Sequence, residues 1–179
     1  MKKYLNRATK TNLQKSEGIY LSKGLFADKE LVMHIDMSPA KLPDLVINNP
    51  GIAVDLLVCM TNTAQITKYY DVLSTMKLST ALLEVFNGLS HHVEFPKEFI
   101  QFFLRNCMHQ CSCSTENKVN KNRMVRLVNV FLWNIMKSKV INFEDIVVDV
   151  KQFCIEHNGI KECQDMLKYV ISETAQKNL

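Results

Sequence analysis

The sequence has few glycines and prolines and lacks any long uninterrupted apolar stretch. Its 179 residues include 5 glycines and 4 prolines, against 9 methionines. Turn-rich β architectures use glycine and proline freely, so their scarcity favours an all-α fold. No apolar run approaches the roughly 18 to 20 residues that cross a bilayer, and the N-terminus carries no apolar signal segment. We therefore expect a soluble protein that stays inside the cell, with no membrane partner.

Motifs that would mark an enzyme are also missing. The chain contains no glycine-rich phosphate loop, no GxSxG nucleophile turn and no HExxH zinc motif. The acidic pair Glu144 and Asp145 falls at a predicted helix start, where carboxylates complement the helix dipole without any catalytic role. We predict that the chain is not an enzyme, has no catalytic residues and binds no cofactor.

The strongest suggestion of chemistry is a cluster in which His109 lies among Cys107, Cys111 and Cys113. Thiolates and imidazoles are zinc ligands, but a helix turns by about 100° per residue, which places His109 about 200° away from Cys107 and Cys111. At most two of the four side chains could then ligate together. We predict no metal site, and we expect all six cysteines to be reduced thiols, five of them on apolar helix faces.

The net charge of +4 is concentrated at the N-terminus. Residues 1–23 carry six lysines and arginines against the single acid Glu17, so the remainder is nearly neutral. A short basic segment of this kind is typical of a solvated tail. We therefore predict a flexible basic tail over residues 1–23 and one all-helical domain over residues 24–179.

Polar residues that can cap helices divide the chain into short helical segments. Ser38 and Asn49 each precede a proline, which suits the first position of a helix because its missing N–H has no partner there. Thr63 and Ser79 precede two further apolar stripes, and Asn142 forms a capping-box pattern with the acid three residues later. The stretch from Ser38 to Val54 therefore predicts two helix starts in close succession.

Apolar spacing predicts eight or nine helices of about 10 to 20 residues, joined by short loops. The first is predicted over Asp28–Ile35, and Gly159 is predicted to end the eighth in a left-handed conformation. Short loops place sequence neighbours mostly antiparallel. Because no strict repeat period is visible, we predict stacked antiparallel hairpins in an irregular HEAT-like array.

The helix predicted from about Lys118 to Lys137 is apolar around nearly its whole circumference, which is typical of a central helix. Tryptophan and arginine on its narrow polar stripe are residue types that anchor protein interfaces. The alternative is that the next helix simply covers the tryptophan. We predict that partner proteins contact Arg123, Arg126, Asn129, Trp133 and Lys137.

A charge asymmetry in the last third leaves a second function open. Residues 117–143 contain six basic residues and no acid, whereas acids outnumber bases from Glu144 onward. An RNA-binding accessory module could use the basic tail and the basic stretch 118–139. Aromatic side chains interleaved with the basic ones, which stack on bases, are absent. We therefore do not expect direct RNA contact.

Three segments resemble the subunit 11 family of the CCR4-NOT deadenylase complex. They are LVMHIDMSPAKLPDLVINNPGIAVDLL, ITKYYDVLSTMKLS and RMVRLVNVFLWNIMKSKVINFEDIVVDVKQFCIEHNGIKE. The similarity runs in order from about Leu31 to Met166, and KLPDLVINNP is its most specific part.

This resemblance implies a non-catalytic module that recruits partner proteins to a complex whose nuclease subunits shorten mRNA poly(A) tails. It is similar to the family's C-terminal helical domain, with a cytoplasmic and nuclear location. The implied partners are helical or linear peptide segments of recruited proteins, together with other subunits of the complex. The family contacts the tenth subunit and the scaffold through an N-terminal region that has no counterpart in the basic tail, so we expect a fragment or a reduced homologue.

Overall fold

The structure, a computed structural model, describes residues 2–27 and 37–177, without the side chains of Phe143 and Lys177. Throughout these ranges the regular structure is helical and contains no strand, which confirms the all-α prediction. The helix predicted over Asp28–Ile35 lies outside the described residues. None of the helices within the described ranges is both long and apolar enough to span a bilayer.

The described residues form ten α-helices, slightly more than the eight or nine predicted, and two short 3₁₀ turns at Pro39–Lys41 and Phe143–Asp145. We number the α-helices in chain order: α1 (Lys2–Ala8), α2 (Lys15–Ala27), α3 (Leu42–Asn48), α4 (Pro50–Met60), α5 (Ile66–Thr75), α6 (Thr80–Ser90), α7 (Lys97–Ser112), α8 (Lys118–Lys137), α9 (Val147–Glu156) and α10 (Lys161–Lys177).

The contacts divide the chain into two compact units, unit 1 (Met1–Glu94) and unit 2 (Phe95–Leu179). This differs from the single domain predicted over residues 24–179. Helix and loop lengths alone do not show which helices pack into one unit, because that depends on which apolar faces meet.

The basic N-terminal segment is part of unit 1. It contains α1 and most of α2, and both helices bury leucines, Leu5 in α1 and Leu21 in α2. Arg7 forms a salt bridge with Glu17 between these two helices. The structure therefore differs from the flexible tail predicted over residues 1–23. That prediction rested on the charge of the segment, whereas its apolar positions decide that it packs.

Helix α4 is the centre of unit 1, where it packs on α2, α3 and α6. Gly88 of α6 permits a close approach, because a Cβ atom added there would lie 2.8 Å from Cγ2 of Val54 on α4. The largest fully buried side chains of unit 1 include Tyr69, Phe86, Leu42, Leu45, Leu56 and Leu57. The segment that carries the Asn49–Pro50 signal thus begins the most enclosed helix of this unit.

The predicted caps divide into one that forms and several that do not. Ser79 caps α6 as predicted, since its hydroxyl accepts a hydrogen bond from the Leu82 N–H at 3.2 Å. Thr63 makes no cap, because its hydroxyl instead donates to the Met60 carbonyl at 2.8 Å. Ser38 stands before the first 3₁₀ turn, also without a side-chain cap bond. The prolines and polar residues therefore predicted where the helices begin more reliably than they predicted the side-chain cap bonds at those positions.

The boundaries of α9 also depart from the predicted pattern. The Asn142 side chain accepts from the Glu144 N–H at 3.3 Å, and this bond begins the second 3₁₀ turn rather than α9 itself. Among the described residues no glycine has a positive φ, so the left-handed stop predicted at Gly159 is wrong. The residue with a positive φ is Lys139, at 54°.

The Asn49 side chain makes other hydrogen bonds than the predicted cap of α4. Although it directly precedes α4, its side chain makes no cap bond there. Its amide donates to the carbonyls of Ala8 at 2.6 Å and Thr11 at 2.8 Å, and its side-chain oxygen accepts from the Leu13 N–H at 2.8 Å. Asn49 is buried, at 7% exposure. It therefore joins the α1–α2 connection to the start of α4.

Unit 2 consists of α7 to α10, with α8 packed on both α7 and α10. Phe103 of α7 and Phe131 of α8 meet edge to face in the core, with ring centroids 6.2 Å apart. Helix α8 has the predicted bounds, but Val130 is 53% exposed. The sequence predicted that α8 is a central helix with neighbours on almost all sides. This prediction is wrong for the side of α8 that carries Val130.

Candidate functional site

The five residues predicted to contact partners lie along α8 in different environments. Arg123, Arg126 and Lys137 are exposed, and Trp133 is half-buried. Asn129 is only 4% exposed. The structure therefore leaves four of these side chains at least partly accessible and places the fifth in the core.

Trp133 packs against α10. Its ring centroid lies 4.6 Å from that of Tyr169, with the planes tilted by 57°. The ammonium group of Lys137, one turn further along α8, lies 4.7 Å from the Trp133 ring centroid, which is a cation–π contact. Trp133 therefore stabilises the α8–α10 packing and keeps part of its ring exposed.

Arg126 is paired across the same two helices. Its Nε atom lies 3.4 Å from a carboxylate oxygen of Glu162. Both side chains are about half exposed, and solvent-exposed pairs of this kind contribute about 0 to 1 kcal/mol. This ion pair therefore orients the two side chains and adds little to stability.

Between these contacts lies a small pocket of about 200 Å³. Its wall contains Asn129, Val130 and Trp133 from α8 and Met166 from α10, and the carboxylates of Glu162 and Asp165 adjoin it. The pocket therefore has an apolar lining and an acidic edge, with Arg126 paired to one of the two acids. We call it the α8–α10 surface.

The acidic residues of this surface were missed from the sequence. The charge pattern of the last third suggested a separate acidic face, with no pairing between its acids and α8. Glu162, Asp165, Met166 and Tyr169 follow the i, i+3, i+4, i+7 spacing of a single helix face. That spacing could have identified the side of α10 that meets α8, but not the register between the two helices.

Asn129 lines the same pocket and also belongs to a buried polar cluster beneath it. Its amide nitrogen lies 3.5 Å from Sγ of Cys163 and 4.0 Å from Sγ of Cys154. The neighbouring thiol and burial raise the pKa of Cys154, whereas the hydrogen bond from Cys154 lowers the pKa of Cys163. Asn129 thus provides a hydrogen-bond donor to two cysteine side chains in the core.

The Cys107–Cys113 cluster is divided between core and surface. Cys107 and Cys111 are buried, whereas Cys113 is exposed and lies 3.3 Å from Nε2 of His109. Across the described ranges, no group of three or more histidine, cysteine, aspartate or glutamate side chains is arranged to hold a metal ion. The His109–Cys113 contact follows from their i, i+4 spacing on α7.

Thiol reactivity should reveal this division. We expect one of the six cysteines, Cys113, to react rapidly with Ellman's reagent in the native protein at about pH 7.5, because the thiolate is the reactive form and the others are buried. Burial raises the pKa of Cys111 to about 12 and raises that of Cys107 further. The fast phase should disappear in Cys113→Ser, and all six should react in denaturant. Two or more fast thiols in the native protein would contradict this arrangement.

The fold and this surface define a class of protein. It is an all-helical protein of stacked short helices, with a small apolar pocket set among charges of both signs. The sequence comparison then identifies the family: residues 46–171 match CCR4-NOT transcription complex subunit 11, and the chain belongs to that family. This confirms the resemblance found in the sequence segments.

One relative shows how the chain corresponds to a larger protein. The chain is 29% identical over 166 residues to the CCR4-NOT transcription complex subunit 11 of Dictyostelium discoideum. The alignment covers 93% of this chain and 26% of that protein. The chain therefore spans about a quarter of the length of this relative.

Proposed function

We propose that this chain is a non-catalytic protein-interaction module of the CCR4-NOT complex, which recruits partner proteins and thereby supports mRNA deadenylation and turnover. In this proposal it acts in the cytoplasm and the nucleus, alongside other subunits of the complex. The observation that carries the proposal is the α8–α10 surface, in a chain that belongs to the subunit 11 family.

The composition of that surface suits protein binding. Val130 is exposed beside the half-exposed Trp133 ring, and both border the same pocket. Protein interfaces are centred on buried aromatic and apolar anchors within a polar rim. Arg126 and Lys137 provide cations at this rim, and Glu162 and Asp165 provide anions. A short helical or linear segment with apolar side chains suits such a surface.

The alternative, an RNA-binding accessory module, is less well supported by the geometry. Arg126 is paired with Glu162, and the Lys121 ammonium donates to the Ser112 carbonyl at 2.8 Å. RNA affinity depends on several unpaired cations and falls steeply with salt.

The proposal can be tested with one aspartate substitution and a matched control. Val130→Asp should remove most of the proteins that the immobilised chain retains from cell extract, because a carboxylate replaces the apolar centre. Val148→Asp introduces the same side chain at a valine of α9 that is 74% exposed and should retain the wild-type set. Quantitative mass spectrometry measures both, and the retained set should include subunits of the complex.

Two results would contradict the proposal. The first is an unchanged retained set in Val130→Asp, with circular dichroism showing that the variant is folded. The second is tight binding of poly(A) RNA whose affinity falls steeply with the logarithm of salt concentration, which would favour the RNA-binding alternative.

A further inference from the structure

Unit 1 contains a groove that is separate from the α8–α10 surface. It is wide open to solvent, has a volume of about 730 Å³ and is formed by α2, α4 and α6 together with the residues that precede α2 and α4. Pockets for small molecules and cofactors commonly have volumes of about 300 to 1,000 Å³. The groove is therefore large enough for several side chains of a bound segment.

The floor of the groove lies close to the backbone of its three helices. Each helix contributes one glycine to the lining, Gly18 from α2, Gly51 from α4 and Gly88 from α6. A Cβ atom added at Gly18 or Gly51 would have no neighbour within 4 Å. The space above these two glycines is therefore open to a partner, whereas Gly88 serves the internal contact with Val54.

The apolar lining of the groove includes one prominent exposed side chain. Ile19 of α2 is 49% exposed at its edge, and Ile52 and Val54 of α4 also line it. An isolated exposed isoleucine is common on protein surfaces, but here it adjoins other apolar side chains in a concave surface. A segment that covers these residues would remove apolar surface from water.

The charges of the groove are separated by helix. Helix α2 contributes Lys15 and Lys23, whereas Asp55 comes from α4 and Glu84 from α6. Within the described part of the chain, no salt bridge involves any of these four side chains. Helix α2 therefore forms a cationic wall and α4 with α6 an anionic wall, and Asp55 of the anionic wall also contacts α2 through a hydrogen bond with Ser22.

Asp55 is the least solvated of these four groups. Burial raises its pKa, while a hydrogen bond from Ser22 and the proximity of His92 act in the opposite direction. A partially desolvated carboxylate is stabilised when a cation of a partner approaches it. Asp55 therefore favours a basic side chain at this wall.

We propose that this groove binds an amphipathic helix of another protein, with basic side chains along the edge that faces Asp55 and Glu84 and acidic side chains along the edge that faces Lys15 and Lys23. The apolar stripe of that helix covers Ile19 and the glycine floor. Amphipathic helices bind grooves between helices in this way, and opposite charges at the edges select the partner. Nucleic acid fits poorly, because the anionic wall repels phosphates.

Three synthetic helical peptides of about 16 residues can test the charge pattern. All share one apolar stripe; the first has lysine along one edge and glutamate along the other, the second has glutamate on both edges, and the third has lysine on both. We expect the first to bind the full chain about ten-fold more tightly than either other peptide. Fluorescence anisotropy measures the three affinities.

Reversing the anionic wall should reverse the preference. In Asp55→Lys with Glu84→Lys, both walls are cationic, so the peptide with glutamate on both edges should become the tightest ligand. Equal affinities for the three peptides, or an unchanged order in this variant, would overturn the proposal.

A second variant tests the location without weakening the fold. Gly18→Met projects a side chain into the open groove, and methionine is the better helix former, so thermal stability should not fall. Peptide affinity should fall about ten-fold or more, since the floor is blocked. The control is Ser16→Met, an exposed position of α2 outside the groove, which should bind as the wild type does.

The remaining outcomes identify other occupants. If the wild-type chain self-associates in sedimentation and Gly18→Met is monomeric, the groove binds a second copy and the proposal is wrong. Displacement of the mixed-charge peptide by poly(A) RNA would also overturn it. Val130→Asp should leave peptide binding by the groove unchanged. A result that contradicts the groove proposal can therefore be distinguished from one that contradicts the proposed role of the α8–α10 surface.

Discussion

Asn49→Ala is expected to lower the free energy of unfolding by about 3 to 5 kcal/mol, because it removes three hydrogen bonds at a buried site. The substitution leaves the carbonyls of Ala8 and Thr11 and the N–H of Leu13 without their partner. Because the Asn49 side chain does not cap α4, the loss reports on the connection between the N-terminal segment and the rest of unit 1.

Urea unfolding measures this loss, and the neighbouring asparagine provides the control. Asn48 donates to the carbonyls of Thr9 and Asp44, both at 2.9 Å, but is only half-buried. Water can replace those bonds, so Asn48→Ala should cost about 1 kcal/mol. Asn49→Asp should be at least as destabilising as Asn49→Ala at neutral pH, since a carboxylate would face two carbonyl oxygens. An Asn49→Ala loss no larger than that of Asn48→Ala would show that the N-terminal segment is not held in this way.

Trp133→Ala is expected to lower the free energy of unfolding by about 2 to 3 kcal/mol, somewhat less than a fully buried aromatic residue. The substitution removes the ring that contacts Tyr169 of α10 and the ammonium of Lys137. The expected result distinguishes a packing role of Trp133 from a role confined to partner binding.

A double-mutant cycle between Trp133→Ala and Tyr169→Ala isolates the aromatic pair, for which we expect a coupling of about 1 kcal/mol. Lys137→Ala should cost about 0.5 kcal/mol, as expected for an exposed cation–π contact. A loss below about 0.5 kcal/mol for Trp133→Ala would mean that the ring contributes little to the α8–α10 packing. Because Trp133 contributes to packing, Val130 is the cleaner position for testing partner binding.

Local sequence features predicted much of the helical framework. Scarce glycine and proline indicated the all-α class, and α8 has the bounds that its apolar pattern predicted. Ser79 caps α6 because an N-cap bond joins residues three positions apart and needs no distant partner. The family was also recognisable from three ordered sequence segments, and the family match over residues 46–171 confirms it.

Features that depend on distant residues were not predictable in the same way. The Asn49 side chain has a cap site nearby but bonds residues 36 to 41 positions away. Charge indicated a tail over residues 1–23, whereas burial of a few leucines against α4 and its neighbours produces two helices there. In both cases a tertiary contact replaced the local arrangement.

The sequence by itself determined the helical class, the positions of most helix starts and the family to which the chain belongs. Only the tertiary structure decided the division into two units, the task of Asn49 and the presence of Glu162 and Asp165 beside Trp133. The physical reason is the range of the interactions. Helix propensity, capping and periodicity act within a few residues, whereas burial and charge pairing depend on which helix faces meet and in what register.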